Sequence, residues 1–277
     1  MAITRPSNTF REVQRADGTA IRYTVSGPPN GATTLVLIHG WACDRTYFDA
    51  VTDLLSPDYR VIAVDLAEHG ESRSPRTEWT IREFAMDVAA ALTSESAHDV
   101  VAVGHSMGGA VAVELARLHP DTVSRVVALD ALHYLFLFPA LDDVAAAAVI
   151  APFHEDFPAA VRAMVAAGSP PDTDPALQDG YFDKMVTVRQ PGGVLSLEAL
   201  VHWDMEAALR EVTQPVTVFA VRAMLTQEAI DRYGDRMRIT PIDLGSHHFP
   251  VESPGATAGL LTDLLSRPWP HPPEHPS

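Results

Sequence analysis

The 277-residue chain predicts an α/β protein, a mostly parallel eight-stranded sheet flanked by helices and carrying a helical cap insertion. Three observations predict it. Apolar runs of the kind buried on both faces alternate with stretches of helical apolar spacing. The alternation stops over residues 133–210, which are rich in alanine, proline and aspartate and hold no convincing apolar strand. It resumes at Gln214 and continues to a closing helix. The expected organisation is a core built from 1–132 and 211–267, a helical cap over 133–210, and a Pro/His-rich tail over 268–277.

Taken in order, "TFREVQ" and "AIRYTVSG" flank an Asp17-Gly18 turn and read as a hairpin. "TTLVLIHG" is the first buried strand. "DRTYFDAVTDLL" follows as a helix with Asp44 at its N-cap, because Phe48, Val51 and Leu54 recur at helical spacing. "YRVIAVDL" is the next strand. "TIREFAMDVAAALTS" opens on Thr80 with Glu83 three residues later, the pattern of a capping box. "DVVAVG" with "GGAVAVELARLHP" makes a strand and helix pair, and "VSRVVALDA" another strand. Beyond the insertion, "QPVTVFAV", "TQEAIDRYG", "MRITPIDLG" and "SPGATAGLLTDLLS" read as strand, helix, strand and helix. Five prolines in the eleven residues from Arg267 predict an extended tail.

A formal charge of −16 opposes binding to phosphate backbones and anionic membrane surfaces, so no nucleic-acid or membrane partner is expected. One cysteine, Cys43, excludes an internal disulfide framework. The N-terminal stretch lacks the apolar core of a signal peptide, and no segment approaches the roughly 20 apolar residues of a membrane span. A cytoplasmic location is expected. No paired-cysteine or H-E-x-x-H pattern and no phosphate-cradling glycine loop is present, so no cofactor or metal is inferred.

Chemistry concentrates at "VVAVGHSMGGAVAVEL", Val100 to Leu115. A valine-rich strand runs into a helix through Gly104-His105-Ser106-Met107-Gly108, and small residues permit a bend too sharp for side chains. Such a strand-turn-helix presents a serine hydroxyl as a nucleophile. Upstream, "LIHGW" ends a strand on Gly40; "VDLAEHGES" and "GSHHFPVESP" follow downstream. Together these features resemble the α/β-hydrolase fold superfamily over nearly the whole chain.

That resemblance implies a serine hydrolase cleaving an ester, thioester, lactone or amide of a small molecule through an acyl-enzyme. Ser106 takes the nucleophile's place. His248, directly before Phe249 and Pro250, matches the family's histidine base, with His247 as its competitor. The backbone N–H groups of Trp41 and Met107 would form the oxyanion hole. For the acid, Asp130 closes the strand after the nucleophile's, while no Asp or Glu follows "VFAVRAML" before Glu228. Asp130 is the preferred acid and Glu228 the alternative. The superfamily also includes cofactor-free lyases and oxygenases, in which His248 would act on substrate directly, and a ligand receptor could retain the residues as a binding site.

Further residues have weaker claims. His133, Tyr134, Phe136 and Trp203 are candidates for the substrate pocket, and their character suggests an apolar or aromatic acyl group. Glu68 replaces a usual glycine and reads as part of an altered surface turn, with contact to a cationic or hydroxylated substrate as the sharper alternative. His39, His69 and His105 read as loop-orienting residues, and Cys43 as a packed thiol without a basic neighbour. "HPPEH" in the tail has metal-compatible spacing but reads simply as tail.

Overall fold

The computed structural model describes residues 8–29, 32–138 and 141–267. Residues 1–7, part of the stretch read for a leader, and the tail from 268, including "HPPEH", lie outside them. In chain order the elements are β1 (Thr9–Gln14), β2 (Ala20–Ser26), β3 (Thr34–Ile38), α1 (Asp49–Leu55), β4 (Arg60–Val64), α2 (Ile81–Ser94), β5 (Val100–His105), α3 (Met107–Leu118) and β6 (Val123–Leu129). Then come α4 (Asp143–Glu155), α5 (Phe157–Ala167), α6 (Pro175–Met185), α7 (Gly192–Val201), α8 (Met205–Glu211), β7 (Val216–Val221), α9 (Gln227–Tyr233), β8 (Arg238–Ile242), α10 (Phe249–Glu252) and α11 (Pro254–Ser266).

The eight strands lie in the order β1-β2-β4-β3-β5-β6-β7-β8. β2 pairs antiparallel with β1 and β4, and the remaining pairings are parallel. Side-chain alternation along each central strand divides its residues between two cores. Leu35, Leu37, Val101 and Val103 pack with Val51 and Leu55 of α1 and with Leu261 and Leu264 of α11. Val36, Ile38, Ala102 and Ala128 face the other way, onto Phe84 and Val88 of α2 and Val111 of α3. Both faces are covered, which is why these strands read as unbroken apolar runs.

Local signals hold with adjustments. Gly18 has φ +86°, and Thr19 N–H donates to Asp17 Oδ1 at 2.8 Å, closing the turn between β1 and β2. Asp44 caps a 3-10 turn, Arg45–Phe48, and the α-helix starts only at Asp49. Thr80 accepts from Glu83 N–H at 3.1 Å, but the Glu83 carboxylate turns to Arg15 instead of reaching back to the cap. Half of the capping box therefore serves to bind α2 to the hairpin.

Between β6 and β7 run the five helices α4 to α8, with no strand among the described residues. Most have side-chain N-caps, from Asp142, Asp156, Asp174 and Asp204, which accounts for four of the eight aspartates of residues 133–210. No helix among the described residues is long and apolar enough to cross a membrane.

Candidate active site

The serine sits in a strained turn. Ser106 has φ 52° and ψ −123°, between the last residue of β5 and the first of α3. A Cβ on Gly104 would lie 2.0 Å from the carbonyl oxygen of Gly108, and one on Gly108 would lie 2.2 Å from that of Ile38. Only glycine allows α3 to approach β5 and β3 so closely. Left-handed backbone at a non-glycine residue persists only where the surrounding structure over-determines it. Met107 N–H, first in α3, has no intrahelical acceptor. Gly40 brings the loop after β3 against the turn, since a Cβ there would stand 3.0 Å from Ser106 Cβ. Trp41 follows, with its indole N–H donating to Gly193 O at 2.6 Å.

Asp130 ends β6 in another left-handed turn, φ 46°, and is fully buried. Its Oδ1 accepts from Val221 N–H at 2.7 Å. Its Oδ2 accepts from His247 Nδ1 at 2.7 Å and from the Tyr134 hydroxyl. Burial pushes this carboxyl up, but the hydrogen bond and charge of His247, with His133 and Tyr134, outweigh it and hold Asp130 below its ordinary value. An ionised Asp130 is a pure acceptor, so the hydrogen bond is donated by His247 Nδ1.

The geometry therefore departs from the expectation at the histidine. His247, not His248, meets the acid. His248 is 3% exposed, stacks on the Tyr181 ring with centroids 4.0 Å apart, and lies 3.3 Å from the Tyr47 hydroxyl through Nδ1. Burial, with His247 adding to it, pushes His248 well below the ordinary histidine value. The reason is local. His248 immediately precedes α10, whose first residue Phe249 is buried in the α1 and α11 core, and its ring is drawn inward with that helix. The loop before it is pinned by Glu252, which accepts from Ser246 N–H at 2.7 Å and from Ser246 Oγ at 2.6 Å. His247 is held by its backbone at both ends. Its N–H donates to Gly168 O at 2.8 Å, and its C=O accepts from His105 Nε2 at 2.9 Å.

Ser106, His247 and His248 line one cavity of about 40 Å³ with Gly40, Trp41, Cys43, His105, Met164, Val165 and Met185. No hydrogen bond joins Ser106 Oγ to either ring among the described residues. The pocket candidates lie elsewhere. His133, Tyr134 and Phe136 line a separate cavity of about 500 Å³ with Met224 and Glu228, and Phe136 is 62% exposed. Trp203 lines another, of about 350 Å³, and its indole donates to Glu114 at 3.3 Å. With left-handed residues at Asp130 and Leu132, the Tyr134 hydroxyl turns back onto the Asp130 carboxylate. The residues that do close over Ser106, Met164 and Val165 of α5 and Met185 of α6, carried no sequence signal separating them from other apolar positions of those helices.

Glu228 is exposed in the first turn of α9 and is not among the partners of His247. Glu68 accepts from Ser74 N–H at 2.7 Å and from Arg189 Nε at 3.0 Å, so an arginine of the helical stretch between β6 and β7 occupies its carboxylate. Cys43 is buried, and burial pushes its thiol up to about 12. His39 accepts from Leu66 N–H through Nε2 at 3.0 Å and donates to Gly40 O from Nδ1 at 2.7 Å, which fixes the loop that carries Trp41. No three His, Cys, Asp or Glu side chains among the described residues are grouped to hold a metal ion.

This sheet, with a strained serine after β5 and an Asp-His pair brought to it, defines the α/β-hydrolase class. The chain belongs to the alpha/beta hydrolase family, whose sequence pattern matches residues 35–260. It is 32% identical over 258 residues to Lipase LipV of Mycobacterium tuberculosis, covering 86% of this chain and 95% of that one. A putative non-heme haloperoxidase of Mycobacterium phage D29 is 38% identical over 117 residues, 42% of this chain and 41% of that one. The fold is also that of the esterase EaEST from Exiguobacterium antarcticum, at TM-score 0.79 and 20% identity over 92% of this chain and 99% of that one.

Proposed function

We propose that this hydrolase acts through Ser106 as nucleophile, His247 as base and Asp130 as acid, cleaving a carboxylic ester or related thioester, lactone or amide. What carries the reading is that the Asp130-His247 pair ends in the cavity that Ser106 also lines. Ser106 Oγ attacks the substrate carbonyl carbon as its proton passes to His247 Nε2, and the resulting imidazolium lies against the Asp130 carboxylate. The carbonyl oxygen, now an oxyanion, takes hydrogen bonds from Met107 and Trp41 N–H. Collapse of the adduct breaks the bond to the leaving group, which receives the proton from His247 and leaves an ester on Ser106. Water, deprotonated by His247, attacks that ester, and collapse of the second adduct breaks the bond to Ser106 Oγ, which takes the proton back from His247 as the acid departs.

The cavity bounds the acyl group. Drug-sized ligands occupy about 300–1,000 Å³, against about 40 Å³ beside Ser106. The reading is therefore of a short apolar acyl chain, with anything longer requiring α5 and α6 to give way. A fluorophosphonate should label the wild type and leave Ser106→Ala unlabelled. In a panel of p-nitrophenyl esters of graded length, the shortest should have the highest kcat/KM. A folded wild type that stays unlabelled and turns over none of the esters would overturn the proposal.

A further inference from the structure

Tyr134 is close in sequence to Asp130, yet its hydroxyl is aimed back at the carboxylate by the two left-handed residues between β6 and the tyrosine, Asp130 at φ 46° and Leu132 at φ 71°. It donates to Oδ2, the same oxygen that accepts His247 Nδ1, and stands 3.3 Å from that nitrogen. The phenol is 9% exposed, with Met224 Sδ 3.5 Å from its oxygen. Asp130 is thus held by three donors from three places in the chain: Val221 N–H on Oδ1, and Tyr134 and His247 on Oδ2. One acceptor oxygen shared by a neutral phenol and an imidazole couples the two, because a donor that stabilises the carboxylate also weakens its pull on the other.

We infer that Tyr134 is a positioning residue, fixing the Asp130 rotamer and moderating how strongly that carboxylate favours the charged form of His247. The inference rests on the reading of Ser106, His247 and Asp130 given above. The cavity of about 500 Å³ lined by Tyr134, His133, Phe136 and Met224 reaches the tyrosine that bonds the acid and is not lined by Ser106. Besides Asp130 and Tyr134, the titratable groups facing His247 are His105, its ring tilted 42° with centroids 4.6 Å apart, its neighbour His248 at 5.3 Å, and buried His133 beside Asp130. None of these is altered by removing the phenol oxygen.

The test is Tyr134→Phe, which deletes the hydroxyl and keeps the ring. The readout is the rate constant for fluorophosphonate labelling of Ser106 as a function of pH, which does not depend on how much of a sample is folded. Without the phenol's hydrogen bond, the carboxylate acts more strongly on the imidazolium, so the acidic limb should move upward by about half a pH unit. The plateau should fall about 3- to 10-fold as the acid loses one of its orienting donors. Met224→Leu, which perturbs the same packing without touching the carboxylate, should leave the limb in place. A Tyr134→Phe limb that superimposes on the wild type, or moves down, overturns the inference even though the serine is labelled. A wild type that is never labelled overturns the reading beneath it instead.

Discussion

His247 and His248 are adjacent in the chain and differ in everything their rings touch. The first bonds the acid; the second is a buried face for Tyr181 and Tyr47. His247→Ala should abolish labelling of Ser106, because the proposed mechanism gives the hydroxyl no other base. His248→Ala should leave the serine reactive within a few-fold and lower stability by about 2 kcal/mol, since truncating a packed ring leaves a cavity. Thermal melts and labelling rates of the two variants, compared side by side, check both. Residue types were legible here and direction was not. A serine between glycines, an aspartate ending a strand and a late His-His pair all stand out in the chain. Which of two consecutive rings faces the acid depends on Glu252 holding Ser246, Gly168 holding the His247 N–H and His105 holding its C=O, partners up to 142 residues away.

At the scale of elements, the strands were readable because double-sided burial demands long apolar runs, and α2 and α3 because their apolar faces recur at helical spacing. The helices between β6 and β7 were readable as helices but not as walls. Only their docking sets which face looks at Ser106, and that docking is made of long-range bonds. Trp41 Nε1 reaches Gly193 O of α7, Tyr181 of α6 donates to Glu252 at 2.8 Å, and Arg189 meets Glu68. The consequence for selectivity follows from the lining. Met164 and Met185 take up the space an acyl chain would need, so Met164→Ala should raise kcat/KM for p-nitrophenyl hexanoate relative to the acetate by about tenfold, the scale set by a few methylenes in an apolar pocket. An unchanged ratio in a folded variant would remove α5 as the wall that limits the acyl group.

Across the whole molecule, several histidines are buried neutral and link folding to pH. Burial lowers His39 to about 4 and His69 to about 3, and drives His105 and His248 well below the ordinary value. A histidine lowered on folding binds its proton more readily in the unfolded chain, so the stability it permits is complete above about 6.5 and is lost as pH falls towards the folded value. For His39 alone the loss between pH 6.5 and about 4 approaches about 3 kcal/mol. Asp65 and Asp87, raised by burial, act in the opposite sense and offset part of this. Denaturant midpoints should therefore be level above pH 7 and fall steadily from 6.5 towards 4, with a shallower fall in His39→Asn. A midpoint unchanged down to pH 5 would contradict the burial of these rings as neutral groups. By itself the sequence determined the strand and helix alternation, the serine turn, the aspartate at the end of β6 and the position of the insertion. Each of these is written in local periodicity, in glycines that close approach requires, or in the residue that ends a strand. Only the tertiary structure decided that His247 meets Asp130, that the Tyr134 hydroxyl bonds the Asp130 carboxylate, and that α5 and α6 leave about 40 Å³ beside Ser106. Side-chain direction in a loop and the depth of a cavity are set by hydrogen bonds and packing between segments far apart in the chain, which no local pattern encodes.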